Sequence, residues 1–103
     1  MGNVLFAYRK VVINGGYGSF GLSPEGERLY YELAGQPFIN TIDRSDANLV
    51  KVVESLGHLA NGPTANLHIL DLPASTTYEI GFNDGLECVY TDGGSYQIRR
   101  KID

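Results

Sequence analysis

Apolar residues occupy both alternating faces of residues 4–14 (VLFAYRKVVIN), and β-branched and aromatic side chains dominate the stretch. The pattern predicts a strand with both faces covered, central in its sheet. Residues 15–23 (GGYGSFGLS) break it with a glycine-rich loop carrying two aromatics. Ser23-Pro24 then reads as an N-cap followed by proline at the first helical position. Glu25 and Glu27 fall in the first turn, where the helix dipole favours negative charge. A short helix is expected to run to Ala34 and stop at Gly35.

Residues 36–45 read as a connector with a short extended piece at 38–42. Asp46 caps a second helix, in which Leu49, Val52, Val53, Leu56 and Leu59 form one apolar stripe at helical spacing. Lys51, Glu54, Ser55 and His58 lie off that stripe, and Asn61-Gly62-Pro63 ends the helix. The remainder reads as β: a strand over 65–72, a hairpin of 77–82 and 86–91 around Asn83-Asp84-Gly85, and a last strand over 95–102 after Asp92-Gly93-Gly94. Tyr78, Ile80 and Phe82 alternate on one face of the first hairpin strand, as Leu86, Cys88 and Tyr90 do in the second. The expectation is one α+β domain spanning residues 1–103. It has a mostly antiparallel sheet with two helices packed on one face, in the order β-α-α-β-β-β-β.

Composition narrows the classes. At 43% hydrophobic and 19% charged the chain has enough apolar surface to fold. No stretch approaches the roughly 20 apolar residues that cross a bilayer, and the first residues lack the pattern of a signal peptide, so no membrane partner is expected. One cysteine, Cys88, rules out an internal disulfide and fits a reducing cytoplasm. A net charge of −4 disfavours nonspecific nucleic-acid binding. Five of the eight basic residues nevertheless sit near the ends: Arg9, Lys10, Arg99, Arg100 and Lys101.

Candidate chemistry is sparse. The loop glycines let a backbone approach a ligand, and a helix N-terminus suits phosphate. Gly15, Gly16, Tyr17, Gly18, Ser19 and Phe20 are therefore candidate ligand-binding residues. The spacing matches neither a P-loop nor a dinucleotide fingerprint, Glu25 and Glu27 would repel a phosphate, and a tight strand-to-helix connection is the simpler account. If the first and last strands pair, Arg9, Lys10, Arg99 and Arg100 join in a basic patch able to grip phosphate or an acidic surface; edge charges that block aggregation are the simpler account. One cysteine and two histidines are too few for a structural zinc site, so no metal or other cofactor is expected. Cys88 reads as a small buried hydrophobe, and no nucleophile shares a setting with a base, so the chain is expected not to be an enzyme. Seven tyrosines are many for so small a core; Tyr30, Tyr31 and Tyr96 are candidate interface residues.

The run RKVVINGGYGSFGLSPEGERLY resembles the N-terminal signature of a family of small tailed-phage and prophage proteins. In that family a strand ending Val-Ile-Asn leads into a Tyr-Gly-Gly-Phe-like loop, then Leu-Ser and a helix. The resemblance continues through Asp43-Arg44-Ser45-Asp46, Asn61-Gly62, Leu67-His68-Ile69, Tyr78-Glu79-Ile80 and the Asp84-Gly85 turn, and covers roughly residues 9–91. Gly16 stands where many members have cysteine, and Ser19 where a second glycine is usual, so cysteine chemistry at the loop is not open to this chain. The resemblance implies a phage protein made in the host bacterial cytoplasm and dispensable for virion structure. The leading expectation is an accessory protein that binds and inhibits a host protein, such as a component of anti-phage defence. The alternatives are a sponge for a nucleotide-derived small molecule, held by the loop and the terminal arginines, and a minor virion or assembly protein. A homodimer is compatible with each.

Overall fold

The structure, a computed structural model, describes residues 7–98. Its elements are β1 (Tyr8–Asn14), α1 (Pro24–Ala34), α2 (Ala47–Leu56), a 3₁₀ turn (Gly57–Ala60), β2 (Leu67–Pro73), β3 (Tyr78–Asn83), β4 (Leu86–Thr91) and β5 (Gly94–Tyr96). The class is α+β and the order is the expected one. The strands form two antiparallel sheets: β1 with β2, and β3–β4–β5.

The β1–β2 ribbon is the middle layer. Val12, with its same-face neighbours Leu67 and Ile69, packs against Leu49, Val52 and Val53 of α2 and Tyr30 of α1. On the opposite face Val11, Ile13 and Leu72 meet Val89 of β4, with Ile80 and Tyr78 of β3 beside it. Val11, Val12 and Ile13 are all fully buried. The apolar character of both β1 faces thus reflects two covering layers and not a central place in a sheet, because among the described residues β1 pairs with β2 alone.

The open edge of β1 is closed by the Arg44 backbone and by two side chains. The Val12 N–H donates to the Arg44 carbonyl at 2.8 Å. The Arg44 guanidinium returns a bond from Nη1 to the Val12 carbonyl at 3.2 Å. One residue pair further along, the Asn14 N–H donates to Glu87 Oε1 at 2.8 Å. Arg44 and Glu87 together stand in for a third strand, supplying the partners that buried backbone groups require.

Local chemistry explains the helix ends. Ser23 Oγ accepts from the Gly26 N–H at 3.0 Å and donates to the Leu59 carbonyl at 2.6 Å, tying the start of α1 to the 3₁₀ turn. Gly35 adopts the left-handed conformation (φ 75°) that ends α1. Asp46 accepts from the Asn48 and Leu49 N–H groups and starts α2.

Several expectations are corrected. Residues 38–42 form no strand: Phe38 turns inward, 6.0 Å from the Phe20 ring and 5.7 Å from Tyr30, and the Ile42 N–H closes a turn onto Ile39. Leu59 leaves the apolar stripe, since the 3₁₀ turn rotates it to 54% exposure while Ala60 is buried. The last strand is confined to Gly94–Tyr96 among the described residues, and it pairs with β4 and not with β1. The hairpin turn uses two residues, Asp84 and Gly85, both at positive φ (56° and 83°). Asn83 therefore faces Leu86, and Phe82 faces Glu87. This puts Glu87 and Val89 on the same face as Phe82 and Ile80, against β1, and turns Leu86, Cys88 and Tyr90 to the other face.

Candidate functional site

The glycine-rich loop is held from below by Asn14, which is fully buried. Its Oδ1 accepts from the Gly16 N–H at 3.0 Å and the Asn66 N–H at 2.9 Å, and its Nδ2 donates to the Gly18 carbonyl at 2.8 Å. Gly15 donates to the Asn66 carbonyl and Ser19 to Thr64 Oγ1. Gly18 must be glycine: a Cβ there would lie 2.2 Å from both Cβ and the carbonyl oxygen of Thr64. The loop is pinned to residues 64–66, and its glycines serve close packing.

The same bonds engage three of the loop donors that a phosphate would use. The Gly15, Gly16 and Ser19 N–H groups are engaged inside the protein, and Ser23 caps the α1 N-terminus. Tyr17 is left projecting at 71% exposure, with its ring against Gly85 of the hairpin turn. Phe82 of β3 is 68% exposed.

Between the loop and the hairpin lies a cleft of about 530 Å³. Tyr17, Phe20 and Phe82 supply its aromatic surface, Ser19 and Asn40 its polar side chains, and Arg44 with Glu87 its ion pair. The Arg44 guanidinium lies 3.6 Å from the centre of the Phe20 ring, an arrangement that holds both side chains. Nη1 and Nη2 of Arg44 grip the two Glu87 oxygens at 2.6 and 2.8 Å. Glu87 is 4% exposed. The fork-to-fork geometry is the strongest form of such a pair, and here it neutralises both charges.

The other sequence candidates lie apart from this cleft. Arg9 is near the far end of β1, where Nη2 donates to the Ala74 and Thr76 carbonyls and the guanidinium sits 5.4 Å from the Tyr78 ring centre. Nearby, Asp43 accepts from the Tyr78 hydroxyl at 2.7 Å and from both the N–H and the hydroxyl of Ser45. The Ser45 N–H first, and the Tyr78 hydroxyl second, hold the Asp43 carboxyl below its ordinary value, while burial pushes the Tyr78 hydroxyl up. Arg99 and Arg100 lie outside the described residues, and the strand pairing that would join them to Arg9 is absent among the described ones. Tyr30 is a core residue at 2% exposure, its hydroxyl pushed up by burial and by Asp46; Tyr31 and Tyr96 are exposed. Cys88 is buried, and among the described residues no cluster of His, Cys, Asp or Glu could hold a metal. No helix among them is long and apolar enough to cross a membrane.

Three functional side chains escaped the sequence reading. Asn14 reads as the end of a strand and Arg44 as part of a connector, while Glu87 lies inside the second hairpin strand with no role assigned from sequence. The one available signal was the Asp84-Gly85 pair: a two-residue turn there places Glu87 inward, where a carboxylate needs a cation.

Fold and cleft together define a small α+β domain that presents exposed aromatics around a neutral, ion-paired floor. Comparison with known proteins adds no relative: no family model, no curated protein and no solved structure matches the chain.

Proposed function

We propose that the chain is a non-catalytic phage accessory protein that binds and inhibits a host protein, with the Tyr17–Phe82 cleft as its contact surface. The observation that carries this reading is the pair of highly exposed rings, one on the glycine-rich loop and one near the end of β3, flanking one cleft. Keeping large rings in water opposes the hydrophobic effect, and rigid aromatic anchors beside a pocket are what protein interfaces use. The floor supports the same reading: Arg44 and Glu87 satisfy each other and the β1 edge, so neither is left as an acid, base or free cation. The phage setting rests on the signature in residues 9–30, and the bacterial cytoplasm follows from it.

The test is capture from a bacterial lysate with the wild-type chain and with Tyr17→Ala/Phe82→Ala, followed by calorimetry on the purified partner. A partner held by the first and lost by the second, with affinity down more than about thirtyfold, supports the reading. Equal retention by both removes it.

One observation favours a second reading, a sponge for a nucleotide-derived molecule: the cleft volume is within the range of about 300–1,000 Å³ typical of small-molecule sites. Arg9 lies away from the cleft and the Gly15, Gly16 and Ser19 N–H groups are engaged, so a phosphate grip would come from other donors. Thermal unfolding against cyclic and ADP-ribose-derived nucleotides separates the two, because a ligand at 100 times its Kd adds about 2.7 kcal/mol.

A further inference from the structure

A second groove, of about 410 Å³, runs along α1 on different elements from the Tyr17–Phe82 cleft. Pro24, Glu27, Tyr31 and Glu32 form its helical wall, and Pro37 with Phe38 the opposite one. Positions 24, 27 and 31 recur at helical spacing, while Gly26 and Tyr30 are the buried positions of α1. The turn at Gly35 brings the chain back, and the Phe38 ring is fixed by its contacts with Phe20 and Tyr30. The groove is thus built on the core, with Tyr31 56% exposed over it.

Its charge is equally specific. Among the described residues the ion pairs within 4.0 Å are Lys10–Glu54 and Arg44–Glu87, so neither the Glu27 nor the Glu32 carboxylate is in contact with a described cation. Arg28 is the sole cation in the lining. Ring, proline and carboxylate surfaces side by side complement a side chain with an apolar stem and a planar cationic head. Arginine fits best, since it stacks on aromatic faces and hydrogen-bonds carboxylates at the same time. Aromatic-lined grooves also accept extended proline-containing segments, which lose little entropy on docking. A free amino acid would bring its own carboxylate against Glu27 and Glu32.

We propose that the α1 groove docks an arginine displayed on an extended, proline-flanked segment of a partner protein. The proposal does not depend on the Tyr17–Phe82 cleft.

The probe is an N-acetylated, C-amidated Pro-Arg-Pro peptide titrated into the ¹⁵N-labelled full chain, with Pro-Ala-Pro and Pro-Glu-Pro peptides as comparisons. The arginine peptide is expected to shift the amides of Glu27, Tyr31, Glu32 and Phe38, and to bind less well as salt rises. Glu27→Gln and Tyr31→Ala should each weaken it by about fivefold, the scale of one exposed charge or cation–π contact. Both side chains are exposed, so the unfolding midpoint should hold; Glu32→Gln replaces either variant if it does not. Equal shifts with the alanine or glutamate peptide, shifts mapping away from α1, or no shift at millimolar peptide would overturn the proposal.

Discussion

Asn14, Glu87 and Gly18 decide the geometry of the cleft. Glu87→Ala strands the Arg44 guanidinium and leaves the Asn14 N–H without an acceptor. Breaking one side of a buried pair costs about 3–5 kcal/mol, so chemical denaturation should detect a loss of that size. Buried ion pairs can often be exchanged for apolar residues at little cost. Here Arg44→Met/Glu87→Leu should not recover wild-type stability, because the Val12 carbonyl and Asn14 N–H would both lose partners on the β1 edge. Gly18→Ala drives a methyl into the Thr64 backbone, a contact that cannot relax by side-chain rotation. A loss of about 2 kcal/mol is expected, with the unfolding midpoint as the readout.

At the scale of elements, Asp43 links the 36–45 connector to β3 through Tyr78. Its carboxyl is held below the ordinary value of 3.8, chiefly by the Ser45 N–H and then by the Tyr78 hydroxyl. The stability it contributes is complete above that ordinary value and is lost as the pH falls from there toward the lower folded value. Acid unfolding followed by circular dichroism should therefore begin at higher pH when Tyr78→Phe removes one of the three bonds to Asp43, and Asp43→Asn should flatten this part of the profile. Both helices were legible in the sequence because their signals are local: Ser23-Pro24 and Gly35 for α1, and Asp46 with the 49/52/53 spacing for α2. The hairpin was legible in outline but not in register, because Asn83 and Asp84 both suit turns and only backbone pairing decides which is inside. The split into two sheets was not legible at all. It depends on what closes the β1 edge, and that closure comes from Arg44 and Glu87, 30 and 73 positions from Asn14 along the chain.

For the whole molecule, the layered packing explains why the candidate site sits where it does. The helices cover one face of β1–β2 and the hairpin sheet covers the other, so the loop leaving β1 and the turn joining β3 to β4 come together with Tyr17 and Phe82 outward. Of the site expected from sequence, Tyr17 to Phe20 line this cleft, whereas Arg9 stabilises the β2–β3 connection from another corner. The part that was missed is the part made by distant segments. Removing both exposed rings should leave the fold intact, with Tyr17→Ala/Phe82→Ala unfolding within about 1 kcal/mol of wild type, as expected for exposed substitutions at about 0.5 kcal/mol each.

Amide hydrogen exchange on the chain, alone and saturated with its purified protein partner, tests the central claim most directly. The account predicts added protection at residues 17–20 and 82–87, the loop and turn that frame the cleft. Protection confined to the outer edge of β2 or to β5, with residues 17–20 and 82–87 exchanging as in the free chain, would contradict it.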